Sequence, residues 1–339
     1  MEGKKILYIG NRLTKHGFSL TTIETLGPLL EDEGFDMEYA SDLRNPFFRL
    51  LDMILKVIRN RSKVAYVIID TYSTLSFWGT WVVAQLCRIL NMRYIPILHG
   101  GNLPWRLDHN QVSSSKIFRN SYCNVAPSNY LSDSFQSRGY DTLMIPNSIE
   151  ISKYDFRPSS EIKPRLLYVR AFHKIYNPTL AVKLVAELKK QYPETELCMV
   201  GPDKDGSMEE CKQLVKDLGL SNSVKFTGKL SKEEWHKLAR NYCIFINTSD
   251  FDNTPVSVIE AMSLGLPVVS TRVGGIPFLI KDKTHALLVE KNNVSEMKEA
   301  VSHLVDNPDV TLDLVNNARH LAENFDWTVV KNQWNDLLK

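Results

Sequence analysis

The chain has 339 residues, enough for two domains, and its 43% hydrophobic and 24% charged residues are typical of a globular protein. A formal net charge of +2 is too small to indicate nucleic acid as a main partner. The five cysteines show no Cys-x-x-Cys spacing and lie mostly in apolar runs, so we interpret them as reduced core residues rather than a disulfide or zinc framework.

Targeting and membrane-spanning patterns are also missing from the sequence. No stretch approaches the roughly 18 apolar residues that a membrane span needs. Residues 1–5 lead directly into a strand pattern and leave no room for a signal peptide. The sequence therefore predicts a soluble cytoplasmic protein whose membrane contact, if any, is peripheral and at the inner face of the cell membrane.

The N-terminal half alternates short apolar runs with helical patterns. Strand patterns lie at residues 4–10, 35–40, 64–70, 93–98, 123–126 and 142–145. Helical patterns lie at residues 22–30, 47–60, 73–91 and 128–138. This alternation predicts a parallel sheet covered by helices on both faces. The loop from Gly10 to Gly17 is not a Gly-x-Gly-x-x-Gly fingerprint, so a classical dinucleotide site is unsupported.

A segment rich in proline and serine, residues 146–164, interrupts the alternation and is the best candidate for a linker. The alternation then resumes. Strand patterns lie at residues 165–169, 195–200, 223–227, 242–247 and 284–289, and helical patterns at 177–192, 207–219 and 231–240. The sequence thus predicts two α/β domains, at residues 1–155 and 156–325, with the ligand in a cleft between them.

The most informative motif is at residues 249–270. An apolar strand runs into a polar loop, in which Asn253 or Thr254 offers an N-cap and Pro255 suits the first helical position. The short helix is expected to end at Gly265, before the next buried strand. A capped helix after a strand presents free backbone N–H groups at the carboxyl end of a sheet, where α/β folds bind phosphate.

Charged side chains accompany this motif. Asp252 and Glu260 bracket the turn. Glu260 lies among apolar neighbours, so we expect it to be partly buried with a partner and to accept hydrogen bonds from paired hydroxyls such as those of a ribose. The alternative is an ordinary exposed helix charge. Arg170 and Lys174 follow the strand pattern 165–169 and are suited to phosphate, although a solvated basic loop would look the same. Gly201 begins a turn after the strand pattern 195–200.

Together these features resemble the retaining glycosyltransferases of family 4, which have the GT-B fold. The resemblance is carried by Asp252 and Glu260 with Pro255, Glu260-Ala-Met-Ser-Leu-Gly-Leu-Pro-Val-Val-Ser, Val273-Gly-Gly-Ile-Pro, Arg170 and Lys174, Gly228-Lys-Leu-Ser-Lys-Glu-Glu, Val125-Ala-Pro-Ser and Ile145-Pro-Asn. It is strong over residues 120–290 and looser before them. The family's usual motif has two glutamates, whereas the first carboxylate here is Asp252, followed by Asn253 instead of the common glycine. Lys174 lies one residue nearer Arg170 than in the common pattern.

The resemblance implies a GT-B fold of two Rossmann-like domains with an interdomain cleft, in which a C-terminal helix at about residues 326–339 packs back on the N-terminal domain. It implies transfer of a sugar from a nucleotide-diphosphate sugar to a saccharide or lipid-linked saccharide, with retention of configuration, in bacterial surface polysaccharide or glycolipid synthesis. A sugar-nucleotide epimerase of GT-B fold and a noncatalytic nucleotide-sugar-binding protein are the alternatives.

Roles for single residues follow from the same resemblance. In the family a histidine in the His-Gly position matching His99 contacts the donor sugar. The implied catalytic residues are Arg170, Lys174 and His99, and the implied donor-binding residues are Asp252, Asn253, Thr254, Pro255, Val256, Glu260, Gly201, Gly10 and Gly17. Positive charge at Arg170 and Lys174, with helix N–H groups, would replace a metal, so no metal or other cofactor is expected.

Residues 44–63 combine an apolar helical pattern with six basic residues and one acidic residue. Such a helix is suited to an anionic membrane surface, where it would present the active site to a lipid-linked acceptor. The alternative is a helix that packs on the core and has a basic outer face.

Overall fold

The computed structural model describes residues 4–18, 20–159 and 161–339. The chain divides into two compact units: Met1–Ser148 with Trp327–Lys339 form unit 1, and Ile149–Asp326 form unit 2. The division lies between Ser148 and Ile149, whereas the sequence pattern suggested 155/156. Ser160 of the proposed linker and residues 1–3, on which the interpretation of the N-terminus partly depended, lie outside the described residues.

Unit 1 is built from a six-stranded parallel sheet and helices. Its strands are β1 Lys5–Ile9, β2 Asp36–Ala40, β3 Tyr66–Thr71, β4 Tyr94–Leu98, β5 Val125–Ala126 and β6 Leu143–Met144. Its helices are α1 Thr22–Asp32, α2 Pro46–Asn60, α3 Ser76–Ile89, α4 Leu103–His109, α5 Gln111–Phe118, α6 Asn129–Gln136 and, at the C-terminus, α14 Trp327–Leu338. The strand order is β2-β1-β3-β4-β5-β6, and all neighbours are parallel.

Two helices of unit 1 were not expected from the sequence. Helices α4 and α5 have only seven and eight residues, and α4 has a proline in its first turn. Elements this short carry too few turns for a clear helical period. They nevertheless contribute Leu107, Ile117 and Phe118 to the core beneath the sheet. Across the described part of the chain, no helix has the length and apolar character needed to cross a bilayer.

The C-terminal helix α14 packs on the sheet of unit 1. Its buried residues are Trp327, Val330, Trp334 and Leu338, which repeat at helical spacing. They share one apolar cluster with Ile6 of β1 and Ile68 of β3. The chain therefore contributes to unit 1 from both of its ends.

Unit 2 repeats the architecture with a second six-stranded parallel sheet. Its strands are β7 Arg165–Val169, β8 Glu196–Val200, β9 Val224–Gly228, β10 Ile244–Asn247, β11 Val268–Thr271 and β12 Leu287–Val289. Its helices are α7 Pro178–Leu188, α8 Ser207–Asp217, α9 Lys232–Ala239, α10 Val256–Leu264, α11 Ile276–Leu279, α12 Val294–Asp306 and α13 Pro308–Glu323. The strand order is β12-β11-β10-β7-β8-β9.

Helices cover both faces of this sheet. Along β7, Leu166 and Tyr168 join the apolar cluster on one face, and Leu167 joins the cluster on the other. Because the strands are parallel, their carboxyl ends meet at one edge of the sheet. Arg170 follows β7 at this edge, and the loop 248–255 follows the neighbouring strand β10.

The two adjacent valines of α14 allow a matched test of its docking. Val330 is 1% exposed and Val329 is 48% exposed. We expect Val330→Ala to lower the free energy of unfolding by about 2 kcal/mol, because it removes two buried carbons and leaves a cavity. Val329→Ala, the control, should change it by less than about 0.5 kcal/mol. Urea denaturation measures both, and equal effects would contradict the packing of α14.

Candidate active site

The loop between β10 and α10 differs in one respect from the sequence-based expectation. Pro255 is itself the N-cap of α10, and no side chain in the described part of the chain caps the helix. The assignment of Asn253 or Thr254 as the N-cap, with Pro255 in the first helical position, is therefore wrong. The backbone before Pro255 has other contacts, because the Asp252 carbonyl accepts from the Gly275 N–H at 2.9 Å and the Asp252 Oδ1 accepts from the Asn253 N–H at 2.9 Å.

Uncapped, the start of α10 offers hydrogen-bond donors. The first N–H groups of a helix, here those of Val256 and Ser257, have no intrahelical acceptor. The hydroxyl of Thr254 is buried and has no hydrogen-bond partner among the residues that the structure describes. Since the helix dipole also places partial positive charge at this end, the start of α10 is suited to an anion.

An ion pair joins this loop to the end of β7. The Arg170 Nη2 donates to the Asp252 Oδ2 at 2.6 Å, and both side chains are largely buried. Burial lowers the pKa of Arg170, whereas the charge of Asp252 and the adjacent tyrosines raise it. The net result is a pKa above the usual value for arginine. The guanidinium carbon lies 4.3 Å from the ring centroid of Tyr176. Arg170 is therefore a fixed positive charge in a defined position.

Glycines make room for the backbone that carries this ion pair. A side chain at Gly201, whose φ is +153°, would collide with the Arg170 carbonyl, and one at Gly274 would collide with the Asp252 carbonyl. Only glycine allows so close an approach of two backbone segments. The structure thus places Gly201 beside Arg170, as a support for its backbone.

Lys174 lies in different surroundings. It begins the one-turn helix Lys174–Tyr176, and its side chain is 70% exposed. Its Nζ lies 3.5 Å from the Glu210 Oε1, and its N–H donates to the Asp205 Oδ2 at 2.9 Å. Hydrogen bonds from the Ser207 hydroxyl and from that N–H lower the pKa of Asp205 to about 2. The structure therefore pairs Arg170 with Asp252 and Lys174 with an acidic surface group.

Glu260 is buried in α10 and has two partners. Its carboxylate is 5% exposed, and Oε1 accepts from the Lys232 Nζ at 2.8 Å and from the Tyr154 hydroxyl at 2.9 Å. Burial, and then the charge of Glu260, raise the pKa of Tyr154. The expectation that Glu260 is buried and partnered is confirmed, and the alternative of an exposed helix charge is excluded.

The sequence analysis did not identify either partner of Glu260. Lys232 lies in the Gly228-Lys-Leu-Ser-Lys-Glu-Glu motif. A capping box between Ser231 and Glu234 starts α9 there and places Lys232 in the first turn of the helix. That motif was a usable signal for Lys232. Tyr154 lies in the linker-like segment, where no local pattern distinguishes it.

In unit 1 a second polar group lies where three neighbouring strands end. His99 follows β4, and its Nε2 lies 2.8 Å from the Oδ1 of Asp70 in β3. The Tyr8 hydroxyl in β1 donates to the same oxygen at 3.0 Å. A Cβ at Gly10 would lie 2.6 Å from the Asp70 Oδ2, so the glycine makes room for the carboxylate. Sequence reasoning missed Asp70, although a carboxylate at the end of an apolar strand pattern was a usable signal.

Gly17 ends the one-turn helix Thr14–His16 in the left-handed conformation, with φ +83°, which favours glycine.

Within the described ranges, no cluster of three or more His, Cys, Asp or Glu side chains could hold a metal ion. Asp203, in the turn before α8, accepts from the Gly206 N–H at 3.0 Å.

Comparison with known proteins defines the class of this fold. A crystal structure of Anabaena HepE in complex with UDP and glucose has a TM-score of 0.79 at 19% identity, and each chain is covered to 99%. The sucrose-phosphate synthase of Thermosynechococcus elongatus has a TM-score of 0.83 at 16% identity, with 98% of each chain covered. Likeness at these identities shows the fold alone. The two parallel-sheet units have the GT-B fold.

Sequence comparison adds the family. The family described as glycosyl transferases group 1 matches residues 152–321, half of the chain. The chain is 28% identical over 167 residues to a D-inositol 3-phosphate glycosyltransferase of Corynebacterium kroppenstedtii, covering 48% of this chain and 37% of the relative. It is 29% identical over 159 residues to an uncharacterized glycosyltransferase of Haemophilus influenzae, covering 46% and 44%. The matches span less than half the length of these relatives. The chain belongs to the glycosyl transferases group 1 family.

The different surroundings of the two cations lead to a stability prediction. Arg170→Met leaves Asp252 buried without its counter-charge, and we expect it to lower the free energy of unfolding by about 3–5 kcal/mol. Lys174→Met, the matched control, breaks only an exposed pair and should cost less than about 1 kcal/mol. Urea denaturation measures both, and similar values for the two variants would contradict the ion-pair geometry.

Proposed function

We propose that this protein transfers a sugar from a nucleotide-diphosphate sugar to a saccharide or lipid-linked saccharide, with retention of anomeric configuration, in the synthesis of a surface polysaccharide or glycolipid. The observation that carries the proposal is the ion pair between Arg170, which follows β7, and Asp252, which lies in the loop from the neighbouring strand β10 to the Glu260-bearing helix α10. HepE, which shares the fold, is known in complex with UDP and with UDP-glucose, which supports a donor of this class.

The diphosphate is assigned to Arg170 and the start of α10. Negative charge grows on the leaving diphosphate as its bond to the sugar breaks, so fixed positive charge there lowers the barrier. The Arg170 Nε is buried and lacks a hydrogen-bond partner in the described residues, so the guanidinium has unused donor capacity. Lys174 is part of the proposal because a diphosphate can displace its single exposed ion pair with Glu210.

The remaining donor contacts are assigned to the loop and to α10. Because Lys232 and Tyr154 occupy the Glu260 Oε1, we assign the ribose hydroxyls to Oε2. Asp252, Asn253, Thr254, Pro255 and Val256 would line the diphosphate and sugar. Asp252 accepts from Arg170 at Oδ2 and from the Asn253 N–H at Oδ1, and we assign it the role of holding Arg170 in place for the donor.

The proposed chemistry needs no nucleophile from the protein. The bond between the anomeric carbon and the phosphate oxygen breaks, the acceptor hydroxyl oxygen bonds to that carbon from the same face, and its proton passes to the leaving phosphate. The side chains orient the reactants and stabilise charge. We propose that no divalent metal is required, because Arg170, Lys174 and the start of α10 supply the positive charge.

The assignment of Glu260 can be tested through nucleotide binding. We expect Glu260→Gln to weaken binding of the preferred nucleoside diphosphate by about 1–3 kcal/mol, or roughly 5- to 150-fold, because a charged acceptor is lost. Calorimetric titration after a thermal-shift screen of nucleoside diphosphates measures this. Glu209→Gln, an exposed residue of α8, is the matched control. Unchanged affinity in Glu260→Gln would remove the ribose assignment.

The reaction products distinguish the three candidate functions: sugar transfer, epimerisation of the donor and binding without catalysis. Transfer predicts a product heavier by one sugar in mass spectrometry, an anomeric NMR coupling equal to that of the donor, and a rate unaffected by EDTA. Conversion of the donor without an acceptor would support an epimerase instead. Binding without conversion or hydrolysis would support a noncatalytic binding protein.

We also propose that α2 binds an anionic membrane surface and so brings the enzyme to a lipid-linked acceptor. Its side chains Met53, Val57 and Asn60 are buried against the rest of unit 1. The opposite face is apolar and exposed. It consists of Phe47, Phe48, Leu51, Leu55 and Ile58, which fall within an arc of about 100° at helical spacing. Basic side chains border this face, and the segment 44–63 has six basic residues and one acidic residue.

The structure indicates which residues test this proposal. Arg49 and Lys56 donate to backbone carbonyls of unit 1, so neutralising them would disturb the fold as well. We expect Phe47→Ser with Phe48→Ser to reduce flotation with liposomes containing anionic lipid by at least about tenfold. The control is Val310→Ser with Leu312→Ser, which removes two exposed apolar side chains from α13. Equal flotation of the two double variants would contradict membrane binding by α2.

A further inference from the structure

Three buried polar side chains of unit 1 meet at the edge where their strands end. Strands β1, β3 and β4 lie side by side, and they carry Tyr8, Asp70 and, directly after β4, His99. The side chains of His99 and Asp70 are 6% and 1% exposed. The ring of Tyr72 packs beside His99 at 5.2 Å between centroids. This Tyr8–Asp70–His99 cluster is enclosed by protein on most sides.

The hydrogen bond between Asp70 and His99 has a defined direction. An ionised carboxylate only accepts hydrogen bonds, so the His99 Nε2, at 2.8 Å from Asp70 Oδ1, carries a hydrogen. In neutral imidazole only one nitrogen is protonated, so Nδ1 is then an acceptor. The Thr22 hydroxyl at the start of α1 lies 3.5 Å from Nδ1. A ligand hydroxyl that binds Nδ1 would take the place of this long contact with Thr22.

The cluster is costly for the fold. Asp70 Oδ2 is buried and has no hydrogen-bond partner in the part of the chain that the structure describes. A buried carboxylate with an unsatisfied oxygen destabilises a protein. Burial, and then the charge of Asp70, raise the pKa of the Tyr8 hydroxyl well above its usual range, so Tyr8 remains a donor. A structural role alone would be served better by an apolar residue at position 70, which favours a role in the site.

We propose that Asp70 is a positioning residue for His99. It holds the imidazole in the Nε2–H tautomer, so that Nδ1 accepts a hydrogen bond from a hydroxyl of the bound sugar. Asp70 itself does not touch the substrate. The role of the sugar hydroxyl rests on the proposed function, whereas the tautomer is a property of the unliganded protein. Gly10 is part of the arrangement, because a side chain there would collide with Asp70.

The tautomer can be measured without any substrate. We expect ¹⁵N NMR of histidine-labelled protein to show His99 with a protonated Nε2 and an unprotonated Nδ1. In the Tyr8→Phe background, where the other donor to Asp70 is removed, Asp70→Leu should abolish this preference while keeping the number and branching of the side-chain heavy atoms. The comparison is with Tyr8→Phe alone. A protonated Nδ1 in the wild-type protein, or an unchanged tautomer in Tyr8→Phe/Asp70→Leu, would overturn the proposal.

A kinetic cycle tests whether Asp70 acts through His99. In the Tyr8→Phe background, we expect Asp70→Leu to lower kcat/KM by on the order of 10- to 100-fold, by analogy with residues that orient metal-binding histidines. In the Tyr8→Phe/His99→Ala background, Asp70→Leu should cause less than about a threefold further loss. An equal loss in both backgrounds would assign Asp70 a purely structural role. If no variant or wild type transfers sugar, the proposed function fails, and the NMR result still decides the role of Asp70.

Discussion

The ion pair between Arg170 and Asp252 determines the local structure of the candidate donor site. A buried arginine needs a counter-charge, and Asp252 supplies it at 2.6 Å across the neighbouring ends of β7 and β10. The Asp252 carbonyl accepts from the Gly275 N–H, and the Asp252 Oδ1 accepts from the Asn253 N–H. In the same loop, α10 begins only after Pro255, and no side chain among the described residues caps its first N–H groups. The loop after β10 thus combines an ion pair to a fixed cation with uncapped backbone donors.

The same constraint applies to two further buried carboxylates, Glu260 in α10 and Asp70 near the end of β3. Glu260 has Lys232 and Tyr154, and Asp70 has His99 and Tyr8. These partners satisfy one oxygen of each carboxylate. In Asp70 the second oxygen is buried and unsatisfied within the described residues, which is an energetic cost that packing does not require. Such costs are retained mainly where a site needs a group held in one orientation.

Membership of the glycosyl transferases group 1 family is shown by the match over residues 152–321, which lies within unit 2. The family match therefore concerns the unit in which Arg170, Asp252 and Glu260 lie. In unit 1, which the family match does not cover, the structure shows the Tyr8–Asp70–His99 cluster and the exposed apolar face of α2. The apolar and basic pattern of α2 was visible in the sequence, whereas the pairing of Tyr8, Asp70 and His99 was not, because these residues lie far apart in the chain.

The sequence by itself determined the features that local chemistry controls. The alternation of apolar runs and helical periods predicted the parallel α/β organisation of both units, and the apolar neighbours of Glu260 predicted its burial. The tertiary structure decided what depends on residues far apart in the chain. Tyr154 and Glu260 are 106 positions apart, and Tyr8 and Asp70 are 62 apart, so no local period could pair them. Local capping preference placed the start of α10 wrongly, in a loop whose residue Asp252 is paired with Arg170, 82 positions away.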